Sequence, residues 1–188
     1  MQFATRYGML SILFCVLARP ASSEPTNQTT LPPFGHTVFC LQHPRDCDRT
    51  RPENISSVPL AGRLRQLNLV QRSVNNAIVP RRADAALFDT WSILPREGNC
   101  SDYAVSKRHI LLEAGWPAAS LLLAEVRLIA TGEHHLILIV KDATGDWVLD
   151  NLRPFAVRLP VIRNVYTWER VQSIGDPRLW IKSFGGLG

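Results

Sequence analysis

Between Gly98 and Pro117 the sequence specifies a helix with a reactive residue at one end and a stop signal at the other. From Tyr103 onward, Ala104, Ile110, Leu111 and Ala114 keep near i, i+3, i+4, i+7 spacing; Gly115 suits the position after a helix, and Pro117 prevents continuation. Cys100 falls where that helix begins. First-turn amides and the positive end of the helix dipole favour a thiolate there and can hydrogen-bond an oxyanion. The residue is therefore a candidate nucleophile that needs a base.

The 188 residues, 46% hydrophobic and 20% charged, suit a single globular core. Arg6, the apolar run from Gly8 to Ala18 and the small residues Ala21 and Ser23 read as a secretory signal peptide over residues 1–23. No later stretch approaches the roughly 20 apolar residues of a membrane span, so the expected location after processing is periplasmic or secreted. Processing removes Arg6 and Arg19 and takes the formal charge from +5 to +3, with the remaining basic residues scattered. That pattern argues against a nucleic-acid partner.

Cys15 leaves with the signal, and Cys40 and Cys47 lie seven apart, which in an oxidising compartment predicts a short-loop disulfide. A metal site built from Cys40, His43, Cys47 and His36 is the alternative, but its spacing matches no usual zinc pattern. Pairing leaves Cys100 as the free thiol.

Residues 24–34 are polar and proline-rich and read as a flexible leader; residues 35–184 form the expected single domain, and 185–188 a fraying tail. Leu60, Leu64, Leu67, Val70, Val74, Ala77 and Ile78 predict a helix over 60–78 that Val79-Pro80 ends. The stretch from Arg81 to Glu97 has no clean period. It is either a packed loop or a segment in which Trp91 lines the approach to Cys100. Ser120–Ala130, His135–Val140, Trp147–Leu149 and a run near Asn164–Val171 read as consecutive, antiparallel strands, so the fold class is α+β.

A nucleophilic cysteine needs a histidine in hydrogen-bond reach and a third group to orient it. His36 and His43 belong to the disulfide region, and His109 lies nine residues along the helix from Cys100. His134 and His135 open a strand after a turn, and alternation alone does not choose between them. Asp150 closes the next apolar run, where burial demands a partner. A hairpin centred between Asp142 and Ala143 would oppose residues 135 and 150 directly, and the triad predicts that wide loop.

Asn99-Cys100-Ser101-Asp102-Tyr103-Ala104, Lys107-Arg108, Gly115-Trp116-Pro117, Gly132-Glu133-His134-His135, Gly145 to Leu152, and Tyr166-Thr167-Trp168 together resemble the bacterial transglutaminase-like cysteine peptidases. Val74-Asn75-Asn76 and Trp91 also fit, so the resemblance runs from about Leu60 to Ser173. It implies a papain-like, transglutaminase-like fold with Cys100, His135 and Asp150 as the catalytic triad. The apolar run after the histidine favours His135 over His134. It also implies a protein substrate: characterised relatives are periplasmic endopeptidases that release surface adhesins, in some cases held by an inner-membrane cyclic-di-GMP receptor.

Calcium-dependent members of that family flank the cysteine as Asp-Cys-Glu-Asp. Here Asn99 and Ser101 are neutral, and Asp102 alone is a candidate remnant ligand. Since calcium prefers six to eight oxygens with several carboxylates, the expectation is an enzyme that requires no cofactor. The reading is thus a thiol endopeptidase. An acyl transferase using the same acyl-enzyme and a non-catalytic binding module are the alternatives.

Overall fold

The structure, a computed structural model, describes residues 28–49, 60–81, 90–143 and 145–182. The expected signal peptide over 1–23 and the tail over 185–188 lie outside the described residues. Its centre is a seven-stranded antiparallel sheet made of β1 (Thr29–Thr30), β4 (Leu121–Leu128), β5 (His134–Val140), β6 (Trp147–Leu149), β7 (Val157–Arg158), β8 (Tyr166–Gln172) and β9 (Trp180–Lys182). Their order is β1-β9-β8-β4-β5-β6-β7. A separate parallel pair joins β2 (Val79–Pro80) to β3 (Glu97–Gly98).

Central β4 and β5 are buried on both faces, so they read as nearly unbroken apolar runs. Leu121, Leu123, Leu136, Leu138 and Val140 face one core. Leu67, Val70 and Val74 of helix α2 (Leu60–Ala77) and Ala104, Val105, Leu111 and Leu112 of helix α3 (Cys100–Glu113) complete it. Alternate strand residues, including Leu122, Ala124, Ile137 and Ile139, face a second core closed by Tyr166 and by helix α4 (Leu159–Ile162). Both long helices start and stop close to the expected positions, and Gly115 ends α3 at φ 86°, the left-handed region open to glycine. Among the described residues, no helix is long and apolar enough to cross a membrane.

Three segments differ from expectation. The proline-rich leader is not wholly irregular: Thr29–Thr30 pairs with Trp180–Ile181 at the sheet edge. Helix α1 (Phe34–Gln42) fills the region expected to be only a disulfide loop, anchored by Phe39 and His36 in the core. The hairpin pairs Leu138 with Leu149 and Val140 with Trp147, centring the connection one residue later than the wide loop predicted. Asp150 therefore extends the register opposite Ile137, two residues from His135. A diagonal offset of this kind keeps both side chains on one face and within reach of an aromatic side chain.

Cys40 and Cys47 form the disulfide, with Cα atoms 5.5 Å apart. Their sulfurs are joined, so the alternative metal site with His36 and His43 does not form. Inside the loop, the Asp46 carbonyl accepts a hydrogen bond from Arg108 and its carboxylate meets His109 Nδ1 at 3.0 Å, gripping the middle of α3. Replacing both cysteines by serine frees a loop of about eight residues and is expected to cost roughly 2–3 kcal/mol in urea unfolding. An unchanged midpoint would show that the bridge is energetically idle.

Candidate active site

The start of α3 is organised around Asn99 and Asp102. Asn99 Oδ1 accepts from the Ser101 amide at 3.0 Å, and Asp102 Oδ2 accepts from the Asn99 amide at 2.9 Å, which makes a reciprocal capping box. Asp102 Oδ1 takes the Ser92 amide at 2.8 Å, so this buried carboxylate also ties down the loop leading to the cysteine. The backbone passes so close that a Cβ on Gly98 would lie 2.7 Å from Asp102 Oδ2. Only glycine fits there. Tyr103 Oη, donating to Ile78 O at 2.6 Å, and the Arg81 amide, donating to Gly98 O at 2.8 Å, pin the end of α2 to the same place.

Cys100, half-buried at the first turn, lies beside His135 at the start of β5. His135 Nε2 donates to Asp150 Oδ1 at 2.8 Å, and the histidine also shares a hydrogen bond with Cys100. With Nε2 committed to the carboxylate, Nδ1 is left for the sulfur. Burial disfavours the imidazolium, but the bonds and negative charge of Asp150 and Cys100 outweigh it and raise His135 to about 9. Asp150 is itself 1% exposed. Burial favours its neutral acid, yet hydrogen bonds from His135, Tyr166 and the Leu152 amide hold the carboxyl below its ordinary value.

His134 points elsewhere: its Nε2 lies 2.9 Å from Glu125 and 3.2 Å from Glu169, in a half-exposed network that also holds Arg127 and Arg170. Glu125, His134 and Glu169 could in principle converge on a metal, but the two arginines already neutralise both carboxylates. Trp91 is buried in the core with its ring 5.7 Å from His36, so it is packing and not part of the cleft wall. His36 is a core residue too, pushed down to about 3 by burial and by Arg108.

The cleft over Cys100 encloses about 230 Å³, with Pro80, Leu128 and Leu152 as apolar wall and Arg81 and Glu133 as charged groups. The supporting roles of Tyr166, of the polar face of α2 and of Lys107 were not apparent from sequence. Tyr166 Oη, from β8 across the sheet, donates to Asp150 Oδ2 at 2.6 Å. Gln71 Nε2 donates to the carbonyls of Asp150 and Arg153, each at 2.6 Å. Asn68, Gln71 and Asn75 make a polar stripe on α2 that holds the loop after Asp150. Their i, i+3, i+7 spacing was the available signal. The third is Lys107, buried on the cysteine helix.

A helix-borne cysteine packed against an antiparallel sheet that presents histidine and aspartate defines the transglutaminase-like, papain-related class of α+β fold. The chain matches the family profile described as bacterial transglutaminase-like cysteine proteinase, BTLCP, over residues 26–185. It belongs to that family, and it is a cysteine peptidase. Among solved structures it is similar to Legionella pneumophila LapG, with a TM-score of 0.51 and 19% identity over 62% of this chain and 67% of that one. It is also similar to the calcium-bound form of Legionella pneumophila LapG, with a TM-score of 0.54 and 16% identity over 84% and 86% of the two chains. At these identities the structures share the fold. No protein of curated function matches the sequence.

His135, raised from 6.5 to about 9, stabilises the folded state most fully below 6.5, and this stabilisation is lost as pH rises through 9. Across that window the urea unfolding midpoint of the native protein is expected to fall relative to that of His135→Gln, the buried Lys107 contributing equally to both. Equal slopes in the two proteins would remove His135 as the cause.

Proposed function

We propose that the chain is an exported thiol endopeptidase working through Cys100, His135 and Asp150. The observation that carries the reading is a helix-starting cysteine hydrogen-bonded to a buried histidine that is itself bound to a buried carboxylate. At neutral pH the imidazole holds a proton, and a positive ring beside the sulfur favours the thiolate. Sγ attacks the scissile carbonyl, and the Cys100 amide at the helix start donates to the developing oxyanion. His135 gives its proton to the leaving amine, then takes one from the water that hydrolyses the thioester. Asp150 fixes the ring tautomer throughout. Export is supported by the signal-like N-terminus and by the disulfide. An open cleft on the surface of the domain suits a segment of a surface or periplasmic protein.

Calcium enters no step of this scheme. Among the described residues flanking the sulfur, both Asp102 oxygens already accept backbone amides and Asn99 Oδ1 accepts another. This donor set does not fit a cation that needs six or more free oxygens.

Iodoacetamide at limiting concentration and pH 6 is expected to label Cys100 much faster than it labels free cysteine, whether or not EGTA is present. Cys100→Ala and His135→Ala should lower hydrolysis of an unfolded protein substrate by about a thousandfold or more. Ordinary thiol reactivity in the native protein would sink the proposal. Adding a primary amine and weighing the products separates hydrolysis from acyl transfer.

A further inference from the structure

Lys107 lies seven residues after Cys100, two turns along the same face of α3. The side chain is 0% exposed, and Nζ has no hydrogen-bond partner among the described residues. An ammonium has three donors to satisfy, and burying it without acceptors is costly. A methionine would fill the same length without desolvating a charge, so packing alone does not account for a lysine here.

Two influences give the ammonium a context. Nζ lies 5.7 Å from the centroid of the Tyr103 ring, close enough for attraction to its face. The other is electrostatic: burial disfavours the ammonium, and the negative charge of Asp150 opposes that effect. The remaining groups in this region are turned elsewhere, neutral or, as His135 is, already bound to Asp150. Arg108 donates to the carbonyls of Leu121 and Asp46, α2 brings the uncharged Gln71 to the Asp150 carbonyl, and β5 brings His135, which is bonded to the Asp150 carboxylate. Arg153 faces Tyr166.

We propose that Lys107 is a positioning residue of the cysteine site, a buried counter-charge that acts on His135 through Asp150. The inference rests on the triad reading above. A charged Lys107 draws on the Asp150 carboxylate and weakens its hold on the imidazolium proton. A neutral Lys107 leaves that hold at full strength. Burial pushes the ammonium down to about 7 against the pull of Asp150, so the counter-charge changes near neutral pH.

The sequence contains three lysines, Lys107, Lys141 and Lys182, so carbon-13 lysine labelling of the native protein gives a spectrum that Lys107→Met assigns. The Lys107 signal is expected to titrate near pH 7. In Asp150→Asn its midpoint should fall by about one unit. The pH profile of Cys100 alkylation by iodoacetamide should show an ionisation near 7 that Lys107→Met lacks, with a melting temperature no lower than that of the native protein. A Lys107 signal that titrates like an ordinary lysine, or that Asp150→Asn leaves unmoved, overturns the proposal; so do alkylation profiles that superimpose with and without the lysine. If Lys107→Met does not fold, Lys107→Gln supplies the assignment and the comparison of native protein with Asp150→Asn stands. Failure of the peptidase reading would appear separately, as slow alkylation of Cys100 at every pH, with the lysine titration unaffected.

Discussion

A carboxylate that is 1% exposed can stay ionised only if its surroundings replace the water it has lost, and at Asp150 three parts of the chain do so while a fourth fixes its backbone. His135 comes from β5, Tyr166 from β8, the Leu152 amide from the loop that follows, and Gln71 of α2 fixes the Asp150 carbonyl. None of these groups is close to Asp150 in sequence except Leu152. The sheet order, which puts β6 beside β5 and β8 two strands further across, and the packing of α2 on α3 are what bring them together. The geometry of the Asp150 carboxyl is therefore a property of the whole core.

The cysteine end of the site is built more locally. Asn99, Ser101 and Asp102 satisfy one another within a single turn, and Asp102 reaches back only to Ser92. These hydrogen bonds hold the helix start without using the main sheet, and His135 reaches the sulfur from β5. A local device on one side and a distributed one on the other must agree to within a hydrogen bond.

The parts legible in the sequence follow from that division. Helix α3, its C-terminal glycine and the strands β4 to β6 could be read because period, turn chemistry and length all agree over seven or more residues in the long elements. Strands β1 and β9 have two and three residues, too few for any period to show, and their pairing is set by tertiary closure alone. Helix α1 has no capping side chain and no acidic first turn, so its sequence carries none of the usual start signals. The pairing of His135 with Asp150 was readable as chemistry, whereas the hairpin register was not. Cross-strand alternation fixes a face, but one extra residue in the connection moves a partner along that face. Tyr166 read as an ordinary aromatic strand residue because nothing along the chain marks which hydroxyl will find a buried carboxylate.

The neutral residues beside the sulfur also bear on its electrostatics. Carboxylates at positions 99 and 101 would set two negative charges against a thiolate within a few ångströms, opposing the helix N-terminus that favours it. The amide of Asn99 and the hydroxyl of Ser101 remove that opposition, and the remaining anion, Asp102, directs both oxygens into backbone amides. What the sulfur then meets is the helix N-terminus and the His135 imidazole, with no added carboxylate at positions 99 and 101 whose charge a cation would have to offset.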